Sequence, residues 1–228
     1  MRPPQRPTDA HGAAVWDAGP DIYWRLDETA GTVAADAVSG DPSSTHSAGV
    51  TLGRPGSPAG RSVALPGGAQ TVVAAAPVDP LETWFATTTT TGGRLIGFGA
   101  GPAGATSSNY DRHVYVLDSR QLRHGIWTGT ASVIDSPAAL QRRPVASSRR
   151  DPGPRRPADV RRRRARRYRH RHGPQPYTGC WRIGSDNTWG DASTNDFAGS
   201  VDETAVYPSA LSAATVAQHW SLGGGGPR

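Results

Sequence analysis

Asp27, Glu28, Asp36 and Asp41 fall within fifteen residues near the start of the chain, and Asp202 and Glu203 form a pair near its end. Carboxylates spaced this closely in polar turns supply the hard oxygen ligands that Ca2+ takes, roughly six to eight at a time. The same residues can equally serve as solvated turn acids or as caps on turn backbone. Asp36 in "AADAVSG" and Asp202 in "VDE" are the leading ligand candidates, with Asp41 and Glu203 beside them.

Catalytic chemistry has less to work with. A glycoside hydrolase needs two carboxyls facing one cleft. Strand alternation puts Asp202 and Glu203 on opposite faces, and the chain has no Glu-x-Asp-x-x-Glu run. His113 and His124 stand near Asp111, Asp118 and Asp135, but no G-x-S-x-G nucleophile motif accompanies them. The chain therefore reads as non-catalytic. Among aromatic residues, Trp24, Trp84, Trp127, Trp181, Tyr115 and Tyr207 lie on alternating stretches and fit core packing. Trp189 differs, because it sits in the polar loop "SDNTWGDASTND" and is a candidate ligand contact.

The charge is divided between two regions. All 25 basic residues are Arg, against 19 acids, for a net charge of +6. Residues 141–171 alone hold fourteen Arg and two acids, a local charge of +12, so the rest of the chain carries −6. A basic tract of this kind binds phosphate electrostatically and without sequence preference. Its Pro152, Pro154 and Pro157 oppose a recognition helix. The single cysteine, Cys180, excludes an internal disulfide and a cysteine-based zinc site. No run approaches membrane-spanning length, and "MRPPQRPTDAHG" has no apolar stretch after it, so no signal peptide is expected.

Gly 28 and Pro 20 together exceed a fifth of the 228 residues, which suits a turn-rich all-β chain. Residues 1–20 read as a linker or the start of a domain. In "DIYWRLDETAG", Ile22, Trp24 and Leu26 share one strand face. Further strands are expected in "SVALPGG", "AQTVVAA", Thr83–Thr90, Arg94–Phe98, around Val114 and Val116, in "GCWRIGSD" and in "FAGSVDETAVYPSAL". The stretch "LSAATVAQHW" is the one helix candidate, with Ser212 as its N-cap. Residues 222–228 form a Gly-rich tail. Short strands about ten residues apart predict an all-β antiparallel sandwich or barrel.

Taken together, "YWRLDETAGTVAADAVSG", "YDRHVYVLDSRQLRHGIWTG", "YTGCWRIGSDNTWG" and "FAGSVDETAVYPSALSAATVAQHW" resemble the laminin-G-like, concanavalin-A-like jelly-roll modules of secreted bacterial proteins. The closing apolar-Asp-Glu strand, Tyr-Pro turn and Leu-Ser-Ala-Ala helix are the most specific part. The resemblance covers residues 13–140 and 173–220. It implies an antiparallel jelly-roll β-sandwich with one short C-terminal helix, built from residues 21–140 and 173–221. It also implies chain ends that meet, a structural Ca2+ near them, an extracellular location, and carbohydrate or another cell-surface ligand as partner. "AVSGDPSS" lacks the Asn-Gly run that often supports the calcium site in relatives.

The resemblance stops at residues 141–172, where the family has a strand like "DGQWHHLVAT", a turn, and a strand like "LYVDGELVAT". Read one nucleotide later, a CGN Arg codon followed by C becomes GNC, which encodes Val, Ala, Asp or Gly. Shifted in this way, "QRRPVASSRRD" permits "NDGQWHHLVAT", with Trp at the position of Val145 and paired His at Ala146 and Ser147. "DVRRRRARRYRH" permits "MYVDGELVATDT". The segment is accordingly read as frameshifted, with one indel near residues 138–141 and a compensating one near 172–175. As written it should be irregular and exposed, and should attract polyanions. The alternatives are an Arg-rich nucleic-acid-binding protein and, more weakly, a sandwich-fold glycosidase.

Overall fold

The computed structural model describes residues 4–40, 44–56, 60–69, 71–74, 80–101, 104–140 and 175–225. Asp41 and the Arg-rich segment 141–172 lie outside these residues, so the expectation of an irregular block there is not addressed. The described strands are β1 (Ile22–Trp24), β2 (Thr45–His46), β3 (Thr51–Pro55), β4 (Arg61–Pro66), β5 (Thr71–Ala74) and β6 (Leu81–Ala86). They continue with β7 (Gly93–Gly99), β8 (Tyr110–Val116), β9 (Leu122–Trp127), β10 (Ala131–Asp135), β11 (Cys180–Ile183) and β12 (Ala198–Val206). Two helices flank them, α1 (Ala10–Asp17) and α2 (Ala213–Trp220).

The strands form two antiparallel sheets. In the five-stranded sheet β12 is the spine: β6 runs along one edge, while β4 and then β1 share the other, with β3 outside β4. No described strand pairs the far edge of β6. The seven-stranded sheet runs β10-β9-β8-β7-β11-β5-β2. Trp24, Val63, Leu65, Val201 and Val206 from the first sheet meet Ile96, Phe98, Val116, Trp181 and Ile183 from the second in one core. The expected all-β antiparallel sandwich with a short C-terminal helix is the architecture observed.

The period-two pattern at the start of the chain does what alternation requires. Ile22, Trp24 and Leu26 enter the main core, while Tyr23 points into a second cluster with Val15, Ala205 and Tyr207. The strand stops at Trp24, and Leu26 has a left-handed backbone (φ 57) while remaining fully buried. Ser212 caps α2 as expected, its side chain accepting from the Thr215 N–H at 3.0 Å.

Residues 1–20 depart from the linker reading, because residues 10–17 form α1. Asp9 caps this helix by accepting from the Gly12 N–H at 2.8 Å. At eight residues, and with Gly12 in its first turn, α1 is too short to be stable alone. Its stability comes from burying His11, Gly12 and Val15 against the outer side of the five-stranded sheet.

A second departure concerns Asp202 and Glu203. Pairing between β12 and β6 shifts between Asp202 and Ala205, and Glu203 takes a left-handed φ of 43. This bulge lies where β12 changes neighbours from β4 to β1. Asp202 pairs with Trp84, which faces the terminal helices, and Glu203 bonds Tyr23 and Arg25 on that same side. Both carboxyls therefore share one face instead of alternating, because the extra bulge residue removes one step of the pleat.

Candidate functional site

Of the four residues expected to hold Ca2+, the described ones, Asp36, Asp202 and Glu203, are engaged in different ways. Asp36 Oδ1 accepts from the Tyr23 N–H at 2.9 Å and the Val38 N–H at 3.0 Å. Its Oδ2 accepts from the Ser39 N–H at 3.2 Å and from the Ser39 hydroxyl. Asp36 is thus a turn cap. Glu203 accepts from the Tyr23 hydroxyl and, at 3.0 Å, from Arg25. Asp41 lies outside the described residues. Asp202 alone has two oxygens with no hydrogen-bond partner. Among the described residues no group of three or more His, Cys, Asp or Glu is arranged to hold a metal. The described residues alone do not supply the roughly six to eight oxygens that Ca2+ takes.

What surrounds Asp202 and Glu203 is a buried polar layer beneath the terminal helices. His219 on α2 bonds Glu82 on β6 at 2.8 Å, and the Tyr207 hydroxyl donates to the same oxygen at 3.0 Å. His11 on α1 stands between Glu82 and Glu203, 3.9 and 3.8 Å from their oxygens. Burial pushes Asp202 up to about 8, with the neighbouring Glu203 adding to the shift. Burial also raises Glu203 to about 7, partly offset by Arg25. Both acids are sealed from solvent, at 3% and 1% exposure.

The other candidate, Trp189, lies on the outward face of the seven-stranded sheet, where β8, β9 and β10 form its edge. On β9, Leu122 and Ile126 turn inward, leaving Arg123, Gly125 and Trp127 outward. Gly125 is the seat for the Trp189 ring: a Cβ there would come within 2.7 Å of the indole Cζ3. Beneath the indole, His113 of β8 makes an edge contact at 4.3 Å between ring centroids, and Tyr115 meets His113 at 4.9 Å. Tyr110 and Trp127 flank Trp189 at 6.1 and 6.0 Å. Tyr110, Trp127 and Trp189 are each half-buried, so their rings stay partly open to solvent. His113 is fully buried, and burial together with nearby Arg94 holds it well below the ordinary histidine range, so it is neutral.

The loop carrying Trp189 is fastened from below. Asp186 bridges two fully buried guanidiniums, Arg182 at 2.7 Å and Arg94 at 3.1 Å, and accepts from the Ser107 N–H and hydroxyl at 2.8 and 2.6 Å. Further along, Thr188 donates twice to Asn195, Tyr115 donates to the Trp189 carbonyl, and Asp191 pairs with Arg123. A loop tied at this many points presents its indole pre-ordered, which lowers the entropy cost of binding.

Of the aromatic residues expected in the core, Trp24, Trp181, Tyr115 and Tyr207 are buried. Trp84 instead stacks on Trp220 at 5.4 Å beside the terminal helices, and Trp127 joins the outward face. Asp118 and Asp135 border that face, and Asp111 accepts from the Trp127 N–H at 2.5 Å beneath it. His113, Gly125 and Tyr110 were not singled out as site residues. Their only signal was the outward side of two alternating strands. Gly125→Val should unseat Trp189, turning a rigid indole into a mobile one. The expected reading is a red-shifted, more quenchable tryptophan fluorescence with Tm lowered by a few degrees, and an unchanged spectrum would count against the seat.

Fold and face together define an all-β sandwich with a pre-ordered, partly exposed aromatic surface at one sheet edge. Comparison with protein-family models, with curated proteins and with solved structures returned no match.

Proposed function

We propose that the chain is a non-catalytic, laminin-G-like binding module that engages carbohydrate at an extracellular surface through Trp189, Trp127 and Tyr110. The observation carrying this reading is the aromatic strip itself. Three half-open rings on a strand face, held by a fastened loop, offer the flat apolar surface on which a sugar's C–H face stacks. An enzyme is the weaker reading, because Asp202 and Glu203 share a face but lie beneath the terminal helices, closed to any substrate.

The proposal includes a shifted reading frame over residues 141–172. The far edge of β6 supports it, since an edge left unpaired among the described strands, beside half-buried Leu81 and Phe85, is where a restored strand finds a partner. Repairing the frame between about codons 138 and 175 should replace the +12 block with near-neutral strands and bring net charge from +6 toward −6. Heparin retention, which depends on counterion release, should vanish, and the thermal transition should become sharper and move to higher temperature. The repaired chain should still be retained on immobilised glycans and should lose that retention with Trp127→Ala plus Trp189→Ala. Persistent heparin binding at moderate salt would show that the block is not its source. Calcium enters only through the family resemblance. A Tm unchanged between Ca2+ and chelator removes it, whereas a rise would keep calcium in the reading.

A further inference from the structure

Next to the aromatic strip is a shallow recess of about 380 Å³, bordered by Asp118, Gln121, Arg123, Asp135 and Asp191. Arg123 links the two features, because it precedes Gly125 and Trp127 on the same side of β9. Outward residues recur every second position along a strand, so Arg123 to Trp127 spans roughly 13 Å. That is the length of a short oligosaccharide. Asp135 lies directly across from Arg123 on β10, and Val133, 42% exposed, lies across from Gly125.

The recess is rich in acceptors and poor in donors. Arg123 is engaged by Asp135 through Nε and Nη2, at 2.6 and 2.8 Å, and by Asp191 through Nη1 at 2.8 Å. The Gln121 amide donates to the Ser136 carbonyl at 2.6 Å, and its oxygen accepts from Ser119 at 3.0 Å. Asp118 is held by the Ser193 N–H at 2.9 Å and by the Ser193 hydroxyl. The hydrogen bonds from Arg123 hold Asp135 below the usual carboxylate range, and those from Ser193 do the same for Asp118. Three carboxylates against one guanidinium leave a net charge of −2, and Asp191 is 69% exposed, with lone pairs facing solvent.

We infer that this face selects uncharged polysaccharides and rejects anionic ones: a neutral glycan lies along β9, stacked on Trp189 and Trp127, with its hydroxyls donating to Asp135 and Asp191. The inference rests on the carbohydrate reading above and adds the ligand's charge to it. Hydroxyl donors meet the surplus acceptors, whereas a uronate or sulfate would face a net charge of −2 among the described lining residues, whose one guanidinium is already engaged. The site thus has the opposite charge preference from the Arg-rich block of the same chain.

The test is affinity electrophoresis of the chain as written in gels containing soluble β-glucan, galactomannan, polygalacturonate or heparin. At least one neutral polymer should retard the parent, with Trp189→Ala weakening this about tenfold or more and Trp189→Phe restoring most of it. Retardation by the anionic polymers, which comes from the Arg block, should be unchanged by Trp189→Ala. In Asp135→Asn plus Asp191→Asn, polygalacturonate should gain a component that Trp189→Ala removes, while neutral-polymer binding weakens with the loss of two charged acceptors. Parent binding of an anionic polymer that Trp189→Ala abolishes would overturn the charge selection and leave the aromatic site standing. No Trp189-dependent binding of any polymer, with near-ultraviolet circular dichroism unchanged, would overturn both.

Discussion

Asp186→Ala should cost the fold about 3–5 kcal/mol, the loss typical when one partner of a buried ion pair is removed. Asp186, Arg94 and Arg182 all have fully buried side chains, and the one carboxylate compensates both guanidiniums. Its removal leaves two cations in the interior, where neither reaches water. Arg94 keeps only backbone carbonyls, of Asn187 and Phe98, and Arg182 keeps Ala105 and Ser107. Against a total stability of roughly 5–15 kcal/mol for an ordinary domain, the variant should be largely unfolded well below the parent's Tm. Asp186→Asn retains the shape and one acceptor and should lose less. Replacing all three by apolar residues of similar volume should recover much of the loss, because the desolvation cost goes with the charges. Urea midpoints of the four proteins decide the matter, and a loss below about 1 kcal/mol in Asp186→Ala would show that water reaches the cluster.

The second large effect has the opposite sign. Asp202→Asn should stabilise the protein above neutral pH, measured with chelator present. An unfolded aspartate titrates near 3.9, whereas the folded group titrates at about 8. Between these values the native state binds a proton that the unfolded chain does not, so stability falls as pH rises from about 4 to 8 and then levels. Glu203, raised to about 7, adds to the fall over an overlapping window. At about 1.4 kcal/mol per pKa unit, the cost at pH 8 is several kcal/mol. An amide bears no charge at any of these pH values, so the variant's Tm should be flatter from pH 5 to 8 and should exceed the parent's at pH 8. A variant that melts at or below the parent at pH 8 would mean that the Asp202 carboxylate is compensated as an anion.

Features with short sequence reach were legible. Ile22, Trp24 and Leu26 carried their inward face in their spacing, Ser212 announced its helix, and Trp189 stood out as an indole among polar loop residues. Features made by distant partners were not. Asp186 meets Arg94 across ninety-two residues of sequence, and nothing local to either distinguishes it from a surface charge. Gly125 looks like a weak point in a strand until the Trp189 ring is seen above it. Helix α1 escaped notice because its stability lies in the sheet it covers. The bulge at Glu203 escaped because a non-glycine residue there gives no sign of a left-handed backbone, and the expected alternation of the two acids failed with it.

The pairing of β1 with β12 bears on how the module responds to load. Ile22, where the chain enters the sandwich, sits directly opposite Val206, where it leaves. Tension applied at the two chain ends therefore converges on a single residue pair, once α1 and α2 have been lifted from the sheet. From there the strands part like a zipper, Tyr23 from Ala205 and then Trp24 from Thr204, each pair bearing the force alone instead of all sharing it in shear. Pulled from its two ends, such a sandwich would yield at a lower force than one whose terminal strands are loaded in shear.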